Sequence, residues 1–331
     1  MIKRLIKGWT GNLMRTTLKD IAAAAEVTPA VVSAVLSGNG NIRCSKEKRA
    51  LILDAVKRMN YRPNRAAQVL GRKSSRQIGV LHYSPQSPSI ARVIGEVQKQ
   101  LFQREYHAIF GFWSTHEEAV SAFESVLSNP LDGLICAHNR LAEMIPPELP
   151  AVFFDRVPGR CCVALNYLKY IDDALAYLIG LGHRKIGYFG WRNEERFGYF
   201  KEKLAAMGGI TKPEWNPSGE SVYDSGLQMA EVLLQTGELP SALLCRNDIL
   251  AFAVINTLRR HHLRVPEDVS VIGFDDIEAA RYFYPSLTSF GASPRRIAAM
   301  LLDTLFAGPV PGEKLIDLEL RARETCIRCR K

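Results

Sequence analysis

Pro29, Ala30, Ser33 and Ala34 fall on the outward side of a short helix with apolar spacing, and Thr28 stands at its start. Hydroxyls donate and accept hydrogen bonds and small methyls fit against a thymine methyl, so this set suits the edges of DNA bases. A second polar set stands just past predicted strands: Tyr83-Ser84, Asp155-Arg156, Asn247 and Asp275. Open α/β sheets bind small ligands beyond the carboxyl ends of their strands. Arginine offers a fork of donors, aspartate accepts hydroxyl protons, and asparagine does both. Residues for covalent chemistry are not assembled. The chain has no Gly-rich phosphate loop, no HExxH and no GxSxG; His82, His107, His116, His138 and His183 are scattered, and His261-His262 closes a helix. The sequence is read as non-enzymatic, with no cofactor. Cys326 and Cys329 form one CxxC pair, two ligands short of a zinc site, so no metal is assigned.

Positioning the first set takes three helices. Thr17 caps a helix over Leu18–Ala25, with Leu18, Ile21, Ala22 and Ala25 on one buried stripe. Glu26-Val27 turns the chain. Thr28 is an N-cap, and Pro29 fits the first helical position, where its missing N–H costs nothing. Val32, Val35 and Leu36 face inward. Ser45 caps a third helix carrying Ile52, Ala55, Val56 and Met59. Arg62-Pro63 breaks it, and Asn64 caps a short helix from Arg65 to Leu70 that ends at Gly71. A helix of about six residues is unstable alone in water, so this one is expected to order only on a partner.

Charge agrees. Residues 1–75 hold fifteen Lys and Arg against four Asp and Glu, a net of +11, while the whole chain is +9 and the remainder therefore −2. An excess confined to one small module is the footprint of nucleic-acid binding. The alternative, a solvated basic tail, fits poorly because the charges interleave with helical apolar spacing. No apolar run reaches the roughly 18 residues of a membrane span, and the first residues lack a secretory apolar core. Seven cysteines without framework spacing fit a reducing cytosol; adjacent Cys161 and Cys162 read as strand residues.

From residue 78, short apolar strands alternate with helices. Strands are expected at Ile78–Tyr83, Ala108–Phe112, Gly133–Cys136, Ala151–Phe154, Lys185–Phe189, Leu243–Cys245 and Val269–Phe274. Helices are expected at Ile90–Phe102, Ala119–Leu127, Asp172–Leu181 and Leu250–Arg260. Alternating βα units imply parallel sheets flanked by helices, and about 250 residues imply two lobes.

Thr17-Leu-Lys-Asp-Ile-Ala, Val27-Thr-Pro-Ala-Val-Val-Ser-Ala-Val-Leu-Ser-Gly, Asn60-Tyr-Arg-Pro-Asn and Ile78-Gly-Val resemble the lactose-repressor/galactose-repressor (LacI/GalR) family of bacterial transcription regulators. The resemblance continues through Asp132-Gly-Leu-Ile, Phe154-Asp-Arg, Leu181-Gly-His-Arg-Lys-Ile, Asn247-Asp-Ile-Leu-Ala, Val265-Pro-Glu-Asp-Val-Ser-Val-Ile-Gly-Phe-Asp-Asp and Pro285-Ser-Leu-Thr-Ser. It implies an all-α helix-turn-helix domain followed by an α/β core of two Rossmann-like lobes, similar to periplasmic sugar-binding proteins. The expected divisions are an extension at 1–15 (with Met14 a candidate initiator), a DNA-binding domain at 16–62, a hinge at 63–76 and a core at 77–331. By resemblance the second helix reads the major groove, Leu70 wedges into the minor groove with Ala67 one turn earlier, and Thr17, Leu18, Asn39, Lys48, Tyr61 and Asn64 complete the DNA-facing set. Arg196, Asn247 and Asp275 match the family's ligand-binding positions, with Asp155, Asn166 and Ser89 beside them. Ala34 stands where the family usually has a long polar residue, so base readout leans on shorter groups and on DNA deformability. Trp113 or Trp191 is a candidate stacking face, with lobe packing the preferred reading of each.

The leading reading is a cytosolic homodimer, without membrane association, that binds a palindromic duplex operator under control of a small effector, a sugar or related metabolite. The tail Arg321–Lys331 has no heptad repeat, so a dimer is expected rather than a tetramer. The competing readings are a ligand-binding module that docks to a protein and an enzyme on the same core. Salt-dependent binding to duplex DNA separates the first from both.

Overall fold

The structure, a computed structural model, describes residues 16–37, 44–61, 74–83, 87–192 and 195–330. Asn39 and the expected hinge helix with Asn64, Ala67 and Leu70 lie outside the described residues. The chain divides into two compact units, 1–75 and 76–331.

The first unit holds α1 (Leu18–Ala24), α2 (Pro29–Ser37) and α3 (Lys46–Arg58). Ile21, Ala22, Ala25, Val32, Ile52 and Ala55 form its core, with Leu18, Val35, Leu36, Val56 and Met59 packed against it, matching the expected stripes. Thr17 closes a capping box with Asp20: each side chain takes the other's backbone N–H, satisfying donors that the first helical turn leaves open. Thr17→Ala should therefore cost this unit about 1 kcal/mol, read as an earlier first transition in thermal unfolding; an unchanged transition would refute the cap. Between α1 and α2, Glu26 takes φ 50°, and the Val27 N–H returns to Ala22 O at 2.9 Å. Lys48 of α3 fixes this turn by donating to Ala25 O at 3.3 Å.

The second unit holds two sheets. Strands β1 (Gln77–Tyr83), β2 (His107–Trp113), β3 (Gly133–Cys136), β4 (Ala151–Phe154), β5 (Cys161–Leu165) and β10 (Gly312–Ile316) form the first, in the order β10-β5-β4-β3-β1-β2 and parallel throughout. Strands β6 (Ile186–Phe189), β7 (Ala242–Cys245), β8 (Ser270–Phe274), β9 (Thr288–Gly291) and β11 (Glu319–Arg321) form the second, in the order β11-β9-β8-β7-β6, with only β11 antiparallel. Every residue of β3, β6, β7 and β8 is buried. Helices cover both faces of parallel sheets, which is why these strands read as continuous apolar runs rather than alternating ones. The covering helices are α4 (Pro88–Gln103), α5 (His116–Leu127) and α11 (Pro294–Phe306) in the first lobe, and α6 (Tyr167–Gly180), α7 (Glu195–Ala206), α8 (Tyr223–Gln235) and α9 (Asp248–Arg260) in the second, where the short α10 (Ala279–Tyr282) follows β8.

The chain crosses between lobes three times: after β5, after β9 and after β10. Asn166 ties the first crossing to the third, its N–H reaching Ile316 O at 2.9 Å and its amide donating to Asp317 Oδ1 at 2.8 Å. The sequence reading did not include β9, β10 or β11. The edge strand β10 is exposed at four of its five residues, so it carries no apolar run, and β11 has three residues. Among the described residues no helix is long and apolar enough to cross a membrane.

Candidate effector cleft and nucleic-acid interface

The carboxyl ends of both sheets bring one set of polar side chains together. Ser89 enters on the first turn of α4 and Asp155 follows β4. From the second lobe come Tyr167 at the start of α6, Arg196 at the start of α7, Arg246 and Asn247 after β7, and Asp275 after β8. Asp275 is the meeting point. Burial pushes its carboxyl up to about 7, while the Ser89 hydroxyl and the Arg196 and Arg246 guanidiniums favour its charged form. A first-lobe hydroxyl thus faces a second-lobe carboxyl, and nearby Arg92 of α4 donates to Asp276 O at 3.2 Å. The charges of Asp155, Asp275, Arg196 and Arg246 all reach the Tyr167 phenol, whose pKa is raised mainly by burial.

Both arginines lie on aromatic rings. The Arg196 guanidinium carbon is 3.4 Å from the Tyr167 ring centroid and 5.4 Å from that of Phe274. That of Arg246 is 4.4 Å from the Trp191 centroid, and its Nη1 donates to Ser221 Oγ at 2.9 Å. Asp155 and Asp275 take φ 148° and 109°, a region that favours glycine. Such strain costs on the order of 1–3 kcal/mol each and clusters at ligand sites. Asp275 is held there by its N–H to Phe290 O at 2.7 Å.

In the first unit, Thr28, Pro29, Ala30 and Ser33 are exposed, so the leading edge of α2 is open. Lys19, Lys46 and Arg49 are exposed on neighbouring helices. Short hydroxyl and methyl groups on a helix edge among cations form a surface whose chemistry suits phosphates and base edges.

Residues 17–64 match the model for bacterial regulatory proteins of the lacI family, and residues 175–326 match that for a periplasmic binding protein-like domain. The chain carries a LacI-family helix-turn-helix domain and a periplasmic-binding-protein-like domain. The HTH-type transcriptional repressor PurR of Pasteurella multocida is 28% identical over 312 residues, covering 88% of this chain and 91% of that protein. That of Aliivibrio salmonicida is 29% identical over 308 residues, covering 87% and 91%. The Lac repressor dimer bound to operator and the anti-inducer ONPF superposes with a TM-score of 0.84 at 25% identity, covering 94% of this chain and 99% of that one. The transcriptional regulator CelR in complex with cellobiose shares the fold, with a TM-score of 0.68 at 24% identity, covering 94% and 100%.

Some expected site residues stand elsewhere. Ala34, expected outward, is 7% exposed, so its single methyl offers little surface to a base. Tyr61 is 8% exposed and packs into the three-helix core, so its ring offers little surface to a partner. Lys48 is engaged with Ala25 O. Leu18 and Thr17 sit at the open start of α1, half-buried and exposed respectively. In the core, Asn166 caps α6 and ties two crossings. Asn247 caps α9 through Leu250 N at 2.8 Å and donates to Ser221 O at 2.9 Å, so both ends of its amide are engaged. Trp113 is 4% exposed and packs in the first lobe, whereas Trp191 is 44% exposed, against the packing reading. Arg246 was not singled out from sequence. Its place immediately before Asn247, at the same strand end, was the available signal. Among the described residues no cluster of three or more His, Cys, Asp or Glu could hold a metal, and Cys326 is buried with its thiol directed at Val271 O.

Proposed function

We propose that this protein is a cytoplasmic transcriptional repressor that binds a palindromic duplex operator as a homodimer, and that a small metabolite in the interlobe cleft sets its DNA affinity. The observation that carries the reading is the pairing, in one chain, of an exposed α2 edge in a basic helix-turn-helix unit with a polar cleft whose residues come from both lobes. The DNA-facing set is Thr17, Leu18, Thr28, Pro29, Ala30 and Ser33, with Asn39, Asn64, Ala67 and the wedge Leu70 assigned by family resemblance. The effector set is Ser89, Asp155, Arg196 and Asp275, with Asn166 and Asn247 positioning the elements around it. Effector and DNA act on each other by favouring different lobe arrangements of the same dimer, so the coupling is reciprocal. The protein acts by binding rather than by turnover.

The test is selection of duplexes from a random pool by the full-length protein. A recovered palindrome with a deformable central step, bound with an affinity that falls steeply with salt, is the expected result. No enrichment at low salt would overturn the reading.

A further inference from the structure

We propose that Arg92 clasps the two lobes together beside the effector cleft, and that this bond biases the lobe arrangement before effector or operator binds. The proposal rests on the reading of the cleft as an effector site and names how that site is regulated.

The bond runs from Arg92 Nη1 on α4 to the backbone oxygen of Asp276, at 3.2 Å. Each end is fixed in its own lobe. On the first-lobe side, Val93, Val97 and Leu101 of α4 are buried in a core shared with Ile297 and Leu301 of α11. Gln100 donates to Arg295 O at 3.0 Å, and Arg104 pairs with Asp303 at 2.6 Å, so α4 is held to α11 along its second half. On the second-lobe side, the peptide between Asp276 and Ile277 is oriented by its own N–H, which goes to buried Asp248 Oδ2 at 2.8 Å. The N–H and C=O of a trans peptide point opposite ways. An N–H held inward by Asp248 therefore turns the Asp276 oxygen outward, to Arg92. Arg323 holds the same residue through Asp276 Oδ1 at 2.5 Å, and the Ser289 hydroxyl takes its N–H at 3.2 Å.

With both ends anchored, a change in lobe angle has to stretch or break this bond, and a hydrogen bond is lost beyond roughly 3.5 Å. Ser89 and Arg92 stand three residues apart on α4, so they share one side of the helix. The Ser89 contact to Asp275 and the clasp to Asp276 therefore form together and part together. A charge-assisted hydrogen bond at an exposed site shifts an equilibrium by about threefold to tenfold. That is enough to bias the lobes and little enough for a ligand to override. A ligand moves such an equilibrium only through its different affinities for the two arrangements, and its apparent affinity scales with the fraction of protein in the arrangement it selects. Arg92 sets that fraction, as a positioning residue.

The experiment reads the distance between the lobes in the full-length protein, without ligand. Spin labels are carried on a non-natural ketone residue at Glu124 of α5 and Glu202 of α7, both exposed, which leaves the native cysteines untouched. Labelled chains are diluted with unlabelled ones so that a single pair is read. Arg92→Ala should displace or broaden the distance distribution, and Arg92→Lys, which keeps a donor, should retain part of the parent distribution. Thermal unfolding of each variant should match the parent, because Arg92 is exposed. An operator duplex recovered by selection should then bind Arg92→Ala with an affinity changed by about threefold or more, and the direction tells which lobe arrangement holds DNA. An unchanged distance distribution in a folded Arg92→Ala would overturn the clasp. A changed distribution with unchanged operator affinity would leave the clasp standing and overturn the coupling of cleft to operator instead.

Discussion

Asp248→Leu is expected to destabilise the core by about 3 kcal/mol, while Asp248→Asn stays within about 1 kcal/mol of the parent at neutral pH. Asp248 opens α9 and is fully buried. Its Oδ2 accepts from the Ile277 N–H at 2.8 Å, and its Oδ1 accepts from Ser289 Oγ at 2.5 Å. Ser289 Oγ in turn accepts from the Asp276 N–H at 3.2 Å, and Asp276 pairs with Arg323 at 2.5 Å. This network holds the turn after β8 and therefore the cleft residue Asp275. Leucine leaves the Ile277 N–H and the Ser289 hydroxyl buried without their acceptor, and each such loss costs about 1–3 kcal/mol. Asparagine keeps the shape: its carbonyl accepts from Ile277 and its amide donates to Ser289.

The same residue sets a pH dependence. Burial pushes the Asp248 carboxyl well above its ordinary value of 3.8, and Asp275 and Asp276 push the same way, against the bonds from Ser289 and Ile277. A group whose folded pKa is raised stabilises the fold fully below its unfolded pKa, and that contribution is lost as pH rises through the folded value. Urea unfolding should show the parent core weakening from pH 4 upward and Asp248→Asn weakening less. A leucine variant as stable as the parent would show that the network does not hold the turn.

The parts of this fold legible in sequence are those in which one element states its own environment. The stripes of α1 to α3 come from apolar spacing alone, and β3, β6, β7 and β8 are readable because burial on both faces demands an unbroken apolar run. The strands β10 and β11 were not readable, since an edge strand with Glu313 and Lys314 on it carries no such demand. Nor was the threefold crossing, which depends on α11 and β10 returning to the first lobe. The cleft shows the same division. Strand ends located Asp155 and Asp275, but whether an asparagine there faces a ligand or caps a helix depends on the hydrogen bonds it makes in space. Asn247 meets Leu250 and Ser221, and Asn166 meets Lys169 and Asp317. Likewise the role of Trp191 depends on Arg246, which only the folded chain brings over its ring.

Asp275→Asn should flatten the pH dependence of effector binding, and the sign of that dependence in the parent reports the ligand's chemistry. The charged groups facing Asp275 are Arg196 from α7 and Arg246 after β7; Ser89 from α4 faces it as a hydroxyl, and Asp248 of α9 is the nearby carboxyl. With its carboxyl at about 7 in the free protein, Asp275 changes charge within the working range. A bound anion disfavours the carboxylate beside it and raises this pKa further. Anion affinity is then full below about 7 and falls as pH rises through the higher pKa of the complex, by at most roughly tenfold per pH unit for one linked proton. A neutral ligand that donates its hydroxyls to the carboxylate gives the opposite slope, with affinity rising through the same range. Calorimetric titration at pH 6, 7 and 8 therefore separates the two. For an anion, Asp275→Asn should bind at pH 8 as tightly as the parent binds at pH 6. The core's own stability follows the same direction: the Asp275 contribution is present below 3.8 and lost as pH climbs through about 7. A parent affinity independent of pH would remove Asp275 from the ligand site, because a carboxyl titrating against a bound ligand has to leave a slope.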